Sequence, residues 1–131
     1  MNYNRFLDKT IEIAYNSQGV GKNNNVRIGA ILINKKHVIS FGTNSYDTHT
    51  VMTRFHRFPF THAEARAVIR VGVYPWSCKE LTIFIARIKK DNSLGMSRPC
   101  SGCMQLLRYV CVKRIIYTTG FGREIEVVKL L

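Results

Sequence analysis

The chain has 131 residues, of which 46% are hydrophobic and 21% are charged. These values exclude a disordered or collagen-like protein and suit a single globular domain spanning residues 1–131. Twenty Lys and Arg residues face only eight Asp and Glu residues, which gives a formal net charge of +12. Such an excess favours a polyanionic partner, with a solvated basic surface as the alternative.

The N-terminal region predicts neither a signal peptide nor a membrane-spanning helix. "MNYNRFLDKT" contains the acidic Asp8 and lacks the apolar core of a signal peptide, and nowhere do about 18 apolar residues occur together. We therefore expect a cytoplasmic protein without a membrane partner. In a reducing compartment four cysteines seldom form a disulfide framework, so a CxxC pair there is expected to bind metal or to act in redox chemistry.

The first third of the chain predicts a helix followed by a β-hairpin. "RFLDKTIEIAYNS" places apolar residues at helical spacing and stops at a polar, Gly-containing stretch. Two apolar, β-rich runs follow at 26–33 and 37–42, and Asn34-Lys35-Lys36 joins them at hairpin length. A polar and aromatic loop is expected next.

The second half of the chain alternates helices with strands. "HAEARAVIRVG" is alanine-rich and ends at Gly72, which is typical of a helix with a C-terminal glycine. "LTIFIARI" is nearly continuously apolar, as in a strand that is covered on both faces, and "KKDNSLGMSR" predicts a turn and loop. "CSGCMQLLRYV" and "VKRIIYT" predict a further helix and a further buried strand.

This alternation predicts an α/β layer fold with a mixed sheet. Six residues, Thr118 to Arg123, separate the strand that ends at Tyr117 from the closing "EIEVVKLL". A parallel crossover needs about a dozen residues or more, so the final strand is expected to run antiparallel to its predecessor. The pattern of "EIEVVKLL" also permits a short helix.

Two cysteines three residues apart, Cys100 and Cys103, open the predicted third helix in "RPCSGCM". Residues at this spacing are neighbours on a helix, so both sulfurs can face one point. Pro99 suits the start of a helix, and the helix N-terminus favours the thiolate, which is the form that binds metal. A redox pair of the thioredoxin type is the alternative, but such a motif would be expected in a fold with more chain after it.

Zinc bound by two thiolates needs at least one further protein ligand. His62 opens a predicted helix, whereas His37 lies in an apolar strand, and His49 and His56 lie in a loop. Glu64 can reach the same centre as His62 only if His62 lies at the helix cap or in the first turn. Three protein ligands would leave the fourth position for water, as in catalytic zinc sites, and a nearby carboxylate could transfer its proton.

Each part of this pattern has a simpler explanation when it is taken alone. Thr61-x-x-Glu64 is also a capping box, in which the glutamate binds the backbone at the helix start. A single histidine is more often structural than a ligand, and a lone CxxC is ambiguous. The combination of "HAE" before one helix with "PCSGC" before the next favours a zinc site with an open position.

"HAE" at 62–64 with "PCSGC" at 99–103 is the zinc-deaminase signature, and the chain resembles the cytidine and deoxycytidylate deaminase superfamily over nearly its whole length. The resemblance implies a three-layer cytidine-deaminase-like fold, with a mixed five-stranded sheet and helices on both faces, and commonly a homo-oligomer. It implies that Zn²⁺ is bound by His62, Cys100 and Cys103. It also implies that zinc hydroxide attacks C4 of cytosine while Glu64 passes protons to the ring nitrogen and then to departing ammonia.

Further residues are expected to contact the substrate by the same resemblance. Asn44 matches a position where many members carry an asparagine that contacts sugar or base, with a turn residue as the alternative. The backbone N–H of Ala63 is expected to bind the base carbonyl. The histidine ligand is typical of deoxycytidylate, tRNA and polynucleotide deaminases, and Asn44-Ser45-Tyr46 departs from the sugar-binding Asn-x-Glu of the nucleoside deaminases.

"TRFHRFPF", residues 53–60, interleaves cations with phenylalanines immediately before the HAE motif. In this superfamily that loop lies at the mouth of the pocket, so Arg54 and Arg57 are expected to meet phosphate and exposed rings to stack on bases. The alternative places the phenylalanines in the core and the arginines on the surface.

We expect deamination of a cytosine nucleotide, CMP or dCMP. Three alternatives stay open: a cytidine deaminase acting on single-stranded DNA or RNA, a deaminase of another amino-heterocycle, and a non-catalytic, zinc-stabilised protein that binds nucleic acid. The last of these makes Glu64 dispensable.

Overall fold

The computed structural model of the protein describes residues 3–19, 26–44, 62–71 and 80–130. No helix in these ranges is long and apolar enough to cross a membrane. In chain order the elements are α1 (Tyr3–Tyr15), β1 (Arg27–Asn34), β2 (His37–Thr43), α2 (Ala63–Val71), β3 (Leu81–Ile88), β4 (Leu94–Gly95), α3 (Ser101–Tyr109), β5 (Arg114–Thr118) and β6 (Ile125–Lys129).

The strands form one mixed sheet in the order β2-β1-β3-β5-β6, and β4 pairs with β3 outside this order. The pair β3–β5 is parallel, and β1–β2, β1–β3 and β5–β6 are antiparallel. The predicted α/β fold with a mixed sheet is therefore confirmed, and so is the antiparallel final strand. Within the described ranges the expected five strands become six, because Leu94 and Gly95, which the sequence analysis placed in a loop, pair with the end of β3.

Helix α1 covers one face of the sheet. The predicted helix is confirmed, and its buried residues recur at helical spacing: Phe6, Leu7, Thr10 and Ala14. They pack on side chains that β1, β3 and β5 direct to this face: Ile31, Ile33, Phe84 and Ile116. Gly29 of β1 lets the helix approach closely, because a Cβ there would lie 2.6 Å from the backbone N of Ala14.

Helices α2 and α3 cover the opposite face, which confirms the prediction of helices on both sides of the sheet. Their buried side chains, including Ala67, Cys103 and Leu107, share one core with Leu32, Ile83 and Ile115 of the strands. The small residues of α2 let it lie against β2, where a Cβ on Gly42 would meet the carbonyl O of Ala63 at 2.5 Å. The backbone of β2 thus sets the position of the first turn of α2.

Candidate metal centre

The centre is built at the start of two helices. The N–H of Arg66 donates to the carbonyl O of His62 at 3.0 Å, so His62 is the cap residue of α2, as its proposed role requires. Cys100 is the cap residue of α3, and its Sγ accepts the N–H of Cys103 at 3.4 Å. Pro99 therefore precedes the cap and lies outside the first helical turn.

Three potential ligand atoms converge there. The Nδ1 of His62 lies 3.5 Å from the Sγ of Cys100 and 3.3 Å from the Sγ of Cys103, and the three atoms all lie within 4.8 Å of one another. Tetrahedral zinc, with ordinary bonds to nitrogen and sulfur, separates such ligand atoms by about 3.6 Å. These three side chains therefore have the spacing that a zinc ion requires.

The pKa values of the two cysteine thiols are shifted in opposite directions. The hydrogen bond from Cys103 lowers the pKa of Cys100 to about 3, in spite of its partial burial. The hydrogen bond to Cys100, together with burial, raises the pKa of Cys103. The lowered pKa favours the thiolate form of Cys100, and a bound divalent cation would stabilise the thiolate form of Cys103 as well.

Burial alone would lower the pKa of His62, but the hydrogen bond to Cys100 and the charge of Glu64 outweigh it, so the pKa is raised. The imidazole is therefore held beside two groups that carry or can carry negative charge. Two thiolates and one imidazole form a ligand set that suits zinc better than calcium or magnesium, which prefer oxygen ligands.

Glu64 adds an acid–base group to this cluster. Its side chain is almost fully buried, and its Oε1 lies 3.6 Å from the Nδ1 of His62. Burial raises the pKa of Glu64, although the charge of His62 and a hydrogen bond from Cys103 oppose that effect. A buried carboxyl group with a raised pKa can take up and return a proton near neutral pH. The alternative capping-box partner, Thr61, lies outside the described residues.

Hydrogen bonds of the Ser97 side chain hold the segment before Cys100 in position. Its buried Oγ lies 2.9 Å from the carbonyl O of Ile85 and accepts the N–H of Thr118 at 3.0 Å. Thr118 in turn donates through its Oγ1 to the carbonyl O of Gly95 at 2.7 Å. The chain just before Cys100 is thereby tied to the ends of β3 and β5. Sequence reasoning assigned Ser97 to a loop and missed this contact, because its only local signal was a serine near the cysteine pair.

The side chain of Asn44 forms hydrogen bonds with the backbone of the protein. Its Oδ1 accepts the N–H of Ile28 at 3.1 Å, and its Nδ2 donates to the carbonyl O of Val26 at 2.6 Å. The amide therefore joins the end of β2 to the start of β1. A contact between Asn44 and substrate stays a prediction.

Of the other residues predicted to contact the substrate, the structure describes Ala63 but not Arg54 or Arg57. Ala63 is buried in the first turn of α2, where a backbone N–H has no intrahelical partner and is available to an acceptor. Its contact with the base stays a prediction. Arg54 and Arg57, with the rest of "TRFHRFPF", lie outside the described residues, as do His49 and His56.

Comparison with known proteins identifies the family. The sequence model described as "Cytidine and deoxycytidylate deaminase zinc-binding region" matches residues 1–119 of the chain. The chain belongs to the cytidine and deoxycytidylate deaminase family. The family has a zinc-binding region, and in this member His62, Cys100 and Cys103 form a group that could hold the zinc ion.

Solved structures share the deaminase fold. A 1.6 Å crystal structure of cytidine deaminase from Burkholderia pseudomallei is 17% identical, covers 98% of this chain and 93% of its own, and has a TM-score of 0.67. The dCMP deaminase from the cyanophage S-TIM5 in apo form is 17% identical over 88% of this chain and 83% of its own, with a TM-score of 0.56.

The cyanophage enzyme in complex with dCMP and dUMP is 16% identical over 88% of this chain and 79% of its own, with a TM-score of 0.57. At these identities the similarity establishes the fold alone. No curated protein sequence matches this chain.

Proposed function

We propose that this deaminase converts cytosine to uracil in a cytosine nucleotide, CMP or dCMP. This proposal rests on the position of Glu64. Its side chain is buried, and its Oε1 lies 3.6 Å from the Nδ1 of His62, which itself lies close to the sulfurs of Cys100 and Cys103. Burying a carboxyl group costs free energy, and proton transfer beside a metal is a role that the geometry around Glu64 permits.

The reaction replaces the exocyclic amine of cytosine with oxygen. Water supplies the oxygen that bonds to C4, the C4–N bond breaks, and ammonia leaves. Zinc would supply a Lewis acid that lowers the pKa of a water molecule in the open coordination position. Glu64 accepts the two protons of the attacking water in turn, passing the first to the ring nitrogen of the base and delivering the second to the departing amine. The backbone N–H of Ala63 would orient the base through its carbonyl oxygen.

A phosphorylated substrate fits the charge of the protein better than a neutral nucleoside does. The net charge of +12 favours an anionic substrate, and Arg54 and Arg57 precede the metal group in sequence. The cyanophage dCMP deaminase, which shares the fold, has been crystallised with dCMP and dUMP. Because thiolate ligands suit a reducing compartment, we also place the protein in the cytoplasm.

The second candidate is a cytidine deaminase that acts on single-stranded DNA or RNA. The specific observation in its favour is the same charge of +12, which exceeds what one phosphate of a mononucleotide requires. A homo-oligomer is expected for either substrate and stays a prediction.

A substrate panel tests the proposal. Zinc-loaded protein is incubated with cytidine, CMP, dCMP, dCTP and a cytosine-containing single-stranded oligonucleotide, and uracil products are quantified by mass spectrometry. We expect CMP or dCMP to be converted faster than cytidine, with loss of turnover after chelation and recovery after zinc is restored. Conversion of the oligonucleotide alone would favour the second candidate. Zinc-loaded protein that converts none of the five would overturn both.

A further inference from the structure

A row of four residues crosses one end of the sheet. Asn44, which follows β2, exchanges hydrogen bonds with the backbone of Ile28 in β1. Ile28 pairs with Arg87 in β3, and Arg87 pairs with Gly95 in β4. Ile28 packs against the core beneath α2 and α3. Because residues that pair directly across two strands point to the same face, the side chain of Arg87 lies on the face that carries the metal centre.

The row begins beside the N-terminus of α2. Ala63 in the first turn of this helix lies over Gly42, whereas Arg70 in its last turn reaches the ring of Phe41, with 4.6 Å between guanidinium carbon and ring centroid. Helix α2 therefore runs from the end of β2 back toward its start. Asn44, two residues beyond Gly42, lies at the end of the sheet where α2 begins.

The other end of the row leads to the N-terminus of α3. Gly95 precedes Cys100 by five residues, and the segment between them is bound to Ile85, two residues before Arg87 in β3. After α3 the chain returns to the start of β3, where the N–H of Lys113 donates to the carbonyl O of Leu81 at 2.9 Å. Both helices thus extend away from the row, so the open side of the metal centre faces Arg87.

The side chain of Arg87 is half-buried and has no polar partner in the described part of the chain. Its Nε is shielded from solvent, and neither a hydrogen bond nor an ion pair joins its guanidinium group to a described residue. Its stem crosses Gly95, where a Cβ would lie 3.3 Å from the Cδ and 3.4 Å from the Cγ of Arg87. The missing side chain at Gly95 leaves room for the arginine to lie along the sheet.

The carboxylates of the described residues do not neutralise Arg87. Five of them are engaged by other residues: Asp8 by Arg123, Glu80 by Lys113, Asp91 by Ser93, Glu124 by Thr119 and Glu126 by Tyr117. Glu64 belongs to the metal centre, and Glu12 lies on α1, which covers the other face of the sheet. Within the described ranges, Arg87 is therefore a half-buried cation without a counter-ion.

A positive charge that is partly withdrawn from water costs free energy, and a bound anion offsets that cost. A guanidinium group matches phosphate with two parallel hydrogen bonds. Asn44, which is predicted to contact the substrate, lies two strands from Arg87, about 10 Å at the usual strand spacing, so both side chains can reach one nucleotide.

We propose that Arg87 binds the phosphate group of the substrate in front of the metal centre. This inference rests on the proposed function and adds to it the residue that distinguishes a nucleotide from a nucleoside. The phosphate can belong to a free nucleotide or to a polynucleotide, because both present the same oxygen atoms to a guanidinium group.

The test compares phosphorylated with unphosphorylated ligands that carry uracil and cannot be deaminated. UMP, dUMP and uridine are titrated by calorimetry into zinc-loaded wild-type protein, Arg87→Gln and Arg114→Gln. Arg114 is the matched control, because it too is half-buried and its buried Nε lacks a partner in the described ranges, but it lies at the start of β5 on the α1 face. We expect wild type to bind UMP or dUMP at least about tenfold more tightly than uridine. Arg87→Gln should reduce this preference to within about threefold, and Arg114→Gln should keep it.

A change in binding that came from misfolding would also change stability. Arg87→Gln removes a charge without a counter-ion, so we expect its midpoint of urea denaturation to be no lower than that of Arg114→Gln. Arg87→Lys keeps the charge but loses the two-pronged hydrogen bonding of the guanidinium group, so its preference for phosphate should be intermediate. The lysine variant decides the question if the glutamine variant does not fold.

A labelled oligodeoxyuridylate of about ten nucleotides, followed by fluorescence anisotropy, distinguishes the two sources of phosphate. Weaker binding of UMP or dUMP by Arg87→Gln would identify a free nucleotide, and weaker binding of the oligonucleotide alone would identify a polynucleotide. If Arg87→Gln binds every ligand as Arg114→Gln does, Arg87 does not bind phosphate. None of these ligands is turned over, so the result for Arg87 is distinguishable from failure of the proposed reaction.

Discussion

Replacing Gly42 with alanine tests how β2 positions the metal centre. The added Cβ would lie 2.5 Å from the carbonyl O of Ala63 and 2.6 Å from the backbone N of Ala67. Both are backbone atoms of α2, so no side-chain rotation relieves the overlap. To reach an ordinary contact of 3.4 Å, the first turn of α2 would have to move by about 0.9 Å. That turn carries His62 and Glu64.

The expected cost follows from this overlap. Forcing a methyl group into a packed interface costs about 1–3 kcal/mol, which we expect as the loss in the free energy of unfolding of Gly42→Ala. Metal–ligand distances tolerate changes of about 0.2 Å, so a helix shift of the size required should also lower zinc affinity by tenfold or more. Urea denaturation measures the first effect, and competition with a chromophoric chelator measures the second.

Two other glycines provide matched controls. In Gly29→Ala the new Cβ would lie 2.6 Å from the backbone of α1, so we expect a similar loss of stability but wild-type zinc affinity, because α1 lies on the other face of the sheet. In Gly95→Ala the nearest atom is the flexible Lys89 side chain at 3.0 Å, and both properties should change little. The reasoning would be refuted if Gly42→Ala bound zinc as tightly as Gly95→Ala did.

Two further substitutions probe the attachment of the cysteine segment and the ligand set. Ser97→Ala removes a buried hydroxyl and takes that hydrogen-bond partner from the backbone groups it contacts, which should lower the free energy of unfolding by about 1–3 kcal/mol and speed zinc release to a chelator. Exposed Ser93→Ala is the control. Equal stability and equal zinc release in the two variants would contradict the role of Ser97. Cys103→Ala should abolish stoichiometric zinc binding as measured by atomic emission, whereas Cys111→Ser should retain it; zinc retained by Cys103→Ala would remove Cys103 from the ligand set.

Much of the fold follows from local pattern. The apolar run of β3 is buried along both faces, as its composition predicted, because helices pack on both sides of the central strand. The short connection before β6 forced an antiparallel pair, and β6 forms a strand and not the alternative helix. The two residues of β4 could not be predicted, since a strand so short has no periodicity and pairs only because the tertiary structure brings it to β3.

The candidate metal centre likewise contains contacts that the sequence predicts and contacts that it does not. The sequence predicted that Cys100 and Cys103 lie together because three residues separate them at the start of a helix, and it grouped His62 with them only because "HAE" and "PCSGC" together form the zinc-deaminase signature. The contacts of Ser97 with Ile85 and Thr118 were not predictable, because they join segments that are distant in sequence through a single hydroxyl group.

The central claim is that Glu64 transfers protons beside a zinc ion held by His62 and the two cysteines. The most direct measurement is the rate of uracil formation from CMP or dCMP by Glu64→Gln, with the zinc content of the same sample determined by atomic emission. Glutamine keeps the shape of the side chain but cannot take up a proton, so we predict retained zinc and a rate at least about 100-fold below wild type. A zinc-loaded Glu64→Gln variant that deaminates at the wild-type rate would contradict the account.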